Sequence, residues 1–160
     1  MNKLIYEKII KAKERKIKRQ EKRAKLWSQK KTKRKKPWSL KRLKKEADRV
    51  FSVWIRNRDS IDGIATCCTC GARMPWQEIQ NGHFVSRKHF VTRWDERNCA
   101  AQCAKCNGPY GKGEEFLFGQ FIDKKYGEGT AKKLKNMRKT ISPMKRHDFE
   151  KIINRYRLNT

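Results

Sequence analysis

Cys67-x-x-Cys70 and Cys103-x-x-Cys106 place four thiols on two short turns of a 160-residue chain. Such a turn lets two thiolates converge on one ion while backbone amides support the sulfurs. Two turns complete a tetrahedral site, so the expected cofactor is a structural Zn²⁺. Gly71 directly follows Cys70, where a knuckle favours a residue that tolerates tight backbone geometry. Thirty-two residues separate Cys70 from Cys103. That exceeds the common ribbon spacing, so a substructure must fit between the knuckles. Cys68 is one residue out of register and Cys99 has no C-x-x-C partner. Both read as small side chains outside the site, with a swap of Cys68 for Cys67 as the alternative.

A second set of residues surrounds the second knuckle: Gly82-His83-Phe84, Asn98 and Asn107. A histidine moves protons near neutral pH. Asparagine amides can orient that ring or offer an oxygen to a cation. Each has a plainer reading. His83 can be a packing histidine, and Asn107 can cap a helix.

The elements that must position these groups follow from pattern and charge. The chain carries 43 Lys and Arg against 16 Asp and Glu, a formal net charge of +27. Such an excess implies a polyanionic partner, nucleic acid ahead of an anionic membrane surface. With 36% hydrophobic residues the core is small, and a metal would usefully stabilise it. No stretch approaches the ~18 apolar residues of a membrane span. The N-terminal residues lack the apolar stretch of a signal peptide. A cytoplasmic location follows, in which paired C-x-x-C units read as metal ligands rather than disulfides.

Residues 1–50 hold 22 Lys and Arg against five acidic residues. Residues 1–36 read as a basic arm, helical in part, whose apolar residues are too sparse for a buried face. Ser39 is a plausible N-cap. Leu40, Leu43, Ala47, Val50, Phe51, Trp54 and Ile55 follow at helical spacing to about Arg58. Asp62-Gly63 marks a turn, and Val85 to Trp94 read as extended. Helices are expected over 116–126, 130–139 and 145–157. The fold class is mainly α with a small zinc-stapled core. Three segments emerge: the arm at 1–36, a zinc-containing domain with its leading helix at 39–126, and a C-terminal helical segment at 127–160 packed on it.

Gly82-His83-Phe84, Arg93-Trp94-Asp95, Asn98, Gln102-Cys103-x-x-Cys106-Asn107 and Gly113, with Phe51-Ser52 and Ile55-Arg56-x-Arg58-Asp59 upstream, resemble the phage lambda NinG (Rap) family of recombination proteins. The resemblance covers roughly residues 39–125. It implies a similarity to HNH nucleases, with a ββα-metal core. The implied activity is cleavage of branched DNA, of Holliday-junction or D-loop type, during phage recombination. By the same resemblance His83 is the general base, Asn98 orients it, and Asn107 holds a catalytic Mg²⁺ or Mn²⁺ together with His83. Many HNH nucleases carry Asp immediately before the first His; this sequence has Gly82 there. Glu114, Glu115 and Asp95 are the candidate replacement carboxylates, and His89 is a further candidate ligand.

Arg87, Lys88, Arg93 and Arg97 flank this set, and Lys33, Arg34, Lys35 and Lys36 close the arm. Together they are the expected DNA contacts, holding phosphates without reading bases. Trp76 and Trp94 could stack on exposed bases or belong to the core. Other expected partners are phage or host recombination proteins and a second copy of the chain, through the Ile-containing N-terminal helix. The alternative function is a non-catalytic zinc module that binds DNA junctions.

Overall fold

The computed structural model describes residues 3–31, 37–108 and 115–157. Its contacts divide the chain into two compact units, Met1–Pro37 and Trp38–Thr160. The first unit is one helix, α1 (Lys3–Lys31). Ile10, Ile17 and Leu26 stand exposed along it, as the sparse apolar pattern requires. Lys33, Arg34, Lys35 and Lys36 lie outside the described residues. Among the described residues no helix is long and apolar enough to cross a membrane.

The second unit opens with α2 (Leu40–Arg58), whose first turn is capped by the Ser39 hydroxyl accepting from the Arg42 amide. Leu43, Ala47, Val50, Phe51 and Ile55 form its buried stripe. The stripe packs against Phe149, Ile153 and Tyr156 of α7 (Arg146–Arg157), joined by Trp94 and Cys99. Phe51 meets Tyr156 edge-on, with ring centroids 4.9 Å apart. Burying each such aromatic contributes about 1.5–3 kcal/mol, and this helix pair is the larger part of the frame.

Three short strands follow as an antiparallel meander: β1 (Ser60–Ile61), β2 (Ile64–Thr66) and β3 (Arg73–Pro75). Asp62 and Gly63 make the first turn with φ of 50° and 78°. A left-handed pair of this kind is what a two-residue hairpin turn demands.

A second antiparallel pair, β4 (Gln80–His83) and β5 (Cys99–Gln102), sets Gly82 opposite Ala100 and His83 opposite Cys99. Every residue of β5 is buried. Cys99 enters the α2–α7 cluster, Ala101 the cluster around the knuckles, and Ala100 a third cluster. That third cluster holds Phe118 and Ile122 of α5 (Glu115–Tyr126) and Ala131 and Leu134 of α6 (Thr130–Met137). Small side chains on β5 let three layers converge on one strand.

The connection from β4 to β5 was expected to be extended. It folds instead into a bend, the one-turn helix α3 (Phe90–Arg93) and a 3-10 turn (Glu96–Asn98). After β5 comes another one-turn helix, α4 (Ala104–Asn107). The class is mainly helical with small sheets, as composition and periodicity indicate. The segment after residue 126 shares one unit with the rest, because α7 completes the core of α2.

Candidate metal centre and adjoining cavity

Cys67, Cys70, Cys103 and Cys106 bring their sulfurs within 4.8 Å of one another. A tetrahedral zinc site with Zn–S of about 2.3 Å needs sulfur–sulfur separations of about 3.8 Å. The Cys70 and Cys103 sulfurs are 3.8 Å apart. The local backbone explains the convergence. The Cys67 amide donates to the Ala72 carbonyl and the Gly71 amide returns to the Cys67 carbonyl, with Gly71 at φ 74°. Cys103 caps α4, and its own amide donates to the Cys67 sulfur at 3.3 Å. Burial opposes ionisation of Cys67. The amides of Cys103, Cys70 and Thr69 outweigh it and pull the thiol down to about 7. The four cysteines therefore form a closed donor set that could hold a metal such as zinc.

The two remaining cysteines behave differently. Burial pushes the Cys68 thiol up to about 12, and Cys99, wholly buried, is raised well above its ordinary value. Cys68 packs against the α5–α6 cluster, so Cys67 rather than Cys68 belongs to the donor set.

A cavity of about 730 Å³ adjoins the metal centre, and both His83 and Asn107 line it. His83 ends β4. Its Nε2 lies 3.2 Å from the Arg93 carbonyl, and donation there leaves Nδ1 with the lone pair. Burial pushes the His83 pKa down to about 4. The Arg93 carbonyl favours the charged ring, and the Arg87 and Arg93 guanidinium groups oppose it. The Asn81 carbonyl also favours the charged ring, but burial prevails and the ring is neutral at pH 7. Asn107 is the last residue of α4, one position after Cys106. The sequence expectation placed it at the start of a helix. Its Nδ2 donates to Gln80 Oε1 at 2.7 Å, which keeps its own Oδ1 for another partner. Metal at the cysteines would fix α4 and hence Asn107.

Asn98 is fully buried but makes no hydrogen bond to His83. Its Oδ1 accepts from the Val85 amide at 2.7 Å, and its Nδ2 donates to the carbonyls of Val85 and Thr92. It braces the loop that delivers the Arg93 carbonyl. Its own carbonyl accepts from the Phe84 amide at 2.9 Å, so it can orient His83 through the adjoining backbone and not by a side-chain hydrogen bond to the ring.

Gly82 has a steric reason. Successive strand residues point to opposite faces, and a Cβ at Gly82 would meet the Gln102 Cβ at 2.9 Å. No carboxylate fits there beside His83. Among the candidate replacements, Glu115 lines the cavity but pairs with Lys135 at 2.6 Å. Asp95 caps the 3-10 turn and pairs with Arg97, away from the cavity. Glu114 and Gly113 lie outside the described residues.

The expected DNA contacts divide. Arg87 and Lys88 are exposed, and Arg87 lines the cavity. Arg93 is 9% exposed. Its guanidinium is bidentate to Asp48, at 2.8 and 2.7 Å, and also bonds the Arg87 carbonyl. It ties α3 to α2, so the expectation of a phosphate contact from Arg93 is corrected by its burial and pairing. Arg97 is engaged with Asp95 at 2.6 Å on a separate groove. His89 caps α3 and does not line the cavity, so it is no ligand there. Trp94 belongs to the core, and Trp76 is half-buried beneath the Arg56 guanidinium.

The family model described as bacteriophage lambda NinG protein matches residues 1–160. The chain belongs to the NinG family. That membership places it in phage recombination. No curated protein and no solved structure matches the chain.

Sequence reading missed several groups in this NinG-family site. Ser52 and Arg56 reach the cavity from α2, and Glu78, Gln80 and Asn81 from the approach to β4. Asn81 Oδ1 is buried without a hydrogen-bond partner. The Arg58–Asp59 pair has a structural role that the sequence does not signal. Arg58 donates to the carbonyls of Glu96 and Cys99, while Asp59 accepts from the Ala101 amide and Lys125. The pair satisfies the outer edge of β5 in place of a third strand. Spacing alone carries no signal for these contacts.

The half-buried, neutral His83 has a thermodynamic consequence. Its folded pKa, about 4, lies below the ordinary ~6.5 of an unfolded chain. Between those values the unfolded state binds more protons, so stability is full above pH 6.5 and falls as pH drops toward 4. Acidification from pH 7.5 to 5 is expected to cost wild type about 2 kcal/mol more than His83→Gln. Urea unfolding of both proteins checks this, since the cysteines are common to both. Parallel losses on acidification would contradict the burial of a neutral ring.

Proposed function

We propose that this chain is a metal-dependent endonuclease of the HNH type that cuts branched DNA intermediates of recombination, such as Holliday junctions or D-loops. One observation carries the reading. His83, on a hairpin followed by a cysteine-anchored turn, has Nε2 held by the Arg93 carbonyl and shares one cavity with Asn107. The ring is already neutral at pH 7 and can take the proton of an attacking water, although burial makes it a weaker base than a free imidazole, and a bound cation that acidifies the water would offset this. It has one lone pair for this purpose, so His83 acts as base rather than as cation ligand.

The cavity is rich in oxygen donors, which suits hard divalent cations such as Mg²⁺ or Mn²⁺. The orphaned Asn81 Oδ1 supports the fit. Asn107, Asn81, Glu78 and Glu115 are the residues that would hold the ion. When bound it would supply positive charge to the scissile phosphate. Asn98 keeps the Arg93 carbonyl, and through it the His83 ring, in place. Arg87 holds DNA phosphate at the cavity rim. The Glu115–Lys135 ion pair favours a second reading, a zinc module that binds junctions without cutting them. A panel of labelled branched and linear DNAs with Mg²⁺ or Mn²⁺ separates the two. Cation-dependent strand breaks on branched substrates support the first, and tight binding without breaks the second.

The basic arm contributes affinity without selectivity. Each phosphate neutralised on duplex DNA adds roughly 0.9 to the slope of log K against log salt. Deleting residues 1–36 is expected to flatten that slope and weaken binding to branched and linear DNA alike. Filter binding across a salt series reads it. An unchanged slope would assign the arm another purpose, such as pairing two copies.

A further inference from the structure

The wall of the His83 cavity contributed by α2 carries a charge that the proposed mechanism leaves unused. Arg56 Nε donates to the Ser52 carbonyl at 3.2 Å, and Nη1 donates to the carbonyls of Trp76 and Gln77 at 3.4 and 3.0 Å. The guanidinium also lies over the Trp76 ring, 5.4 Å from its centroid. These contacts fix one edge of the fork. Nη2 makes no hydrogen bond, and no carboxylate pairs with Arg56 among the described residues.

The charge is half-buried and lines the same cavity as His83 and Asn107. Desolvation without a counter-ion is unfavourable, and three carbonyls offset only part of it. Elsewhere in this unit, semi-buried arginines are neutralised. Arg58 has Asp59 and Arg93 has Asp48. In the cavity itself Glu115 is taken by Lys135, while Glu78 makes no ion pair with Arg56. Arg87 lines the same cavity and has no ion pair among the described residues.

We propose that Arg56 is the binding site for one phosphodiester of a nucleic-acid strand, with Nη2 and the Arg87 side chain receiving its non-bridging oxygens beside His83. The proposal deepens the nuclease reading and rests on the same cavity. A planar fork held along one edge and open along the other suits a phosphate oxygen. The carbonyl contacts cost the group little reorganisation when a strand arrives. If the strand is cut, this is the phosphate that lies within reach of His83.

The test separates this claim from the nuclease reading by measuring binding in buffer with neither Mg²⁺ or Mn²⁺ nor a chelator, so that the cysteine-bound metal stays in place while no cutting occurs. Zinc-loaded wild type and Arg56→Gln are compared for affinity to a four-way junction across a salt series. The variant is expected to bind several-fold more weakly, with a salt slope smaller by about 0.9. Folded Arg56→Gln with unchanged affinity and slope overturns the proposal, whether or not wild type cuts DNA. If Arg56→Gln fails to fold, the Arg56 Nε–Hε resonance of ¹⁵N-labelled wild type is followed instead, assigned by its loss in Arg56→Lys. Movement on adding a short duplex, but not inorganic phosphate at equal ionic strength, supports a strand phosphate. Movement with phosphate alone, or no movement in a saturated complex, rejects it. With binding thus established, a wild type that never cuts would remove the nuclease reading and leave the phosphate site standing.

Discussion

Cys106→Ser is expected to yield protein that is metal-free and largely unfolded above α1. Four sulfurs meet within 4.8 Å, and the knuckle cluster around them is small: Ala65, Ile79, Ala101 and the cysteines themselves. Little apolar area is available there to replace a lost metal. Apparent binding free energies at structural zinc sites are about 10–16 kcal/mol in small domains, and that binding is folding free energy. Domains of ordinary size have net stabilities of about 5–15 kcal/mol, so loss of one of four thiolates is enough to decide the outcome. Cys70→Ser is expected to follow, while Cys68→Ser is expected to keep its metal, because Cys68 lies outside the donor set. Metal analysis and circular dichroism on reduced protein read all three. A folded wild type without metal, or a Cys68→Ser protein without it, would contradict the assignment.

His83→Ala is the second large effect. Loss of a general base typically costs about 10²–10⁴-fold in rate. The substitution leaves the cysteines and nearly all of the basic surface in place. Binding of branched DNA is expected to stay within a few-fold of wild type, since that affinity comes mainly from Lys and Arg contacts with phosphate. Removing a half-buried imidazole that lines an open cavity is also expected to leave the fold intact, which keeps the comparison interpretable. Single-turnover cleavage with matched metal content is the readout. Equal rates in the two folded proteins would remove His83 from the chemistry.

The parts legible in the sequence were those governed by short-range rules. Ser39 capped α2 because a hydroxyl there meets an orphan amide. The α2 stripe was readable because a period of 3.6 maps directly onto one face. The two C-x-x-C turns were readable because a tetrahedral ion needs that spacing. The region from Val85 to Trp94 was not readable. Its conformation is set by Asn98, thirteen residues beyond Val85, whose amide holds the carbonyls of Val85 and Thr92. Arg93 was misread for a related reason. An arginine beside other basic residues suggests a surface contact, and only tertiary packing reveals Asp48 as its partner. Arg56 lies in the Ile55-Arg56-x-Arg58-Asp59 motif, but its position in the His83 cavity depends on how α2 packs on β4, which no local pattern encodes.

The central claim is that the His83 cavity breaks phosphodiester bonds. Its most direct measurement is strand cleavage of an end-labelled four-way junction by purified, zinc-loaded protein, with Mn²⁺ added in one arm and no added divalent cation in the other, and His83→Ala carried through both. Wild type is expected to give new labelled fragments with Mn²⁺ and none without it, and His83→Ala to form them at least about 100-fold more slowly. Saturated binding of the junction with no fragments in any arm, across Mn²⁺ and Mg²⁺, would contradict it.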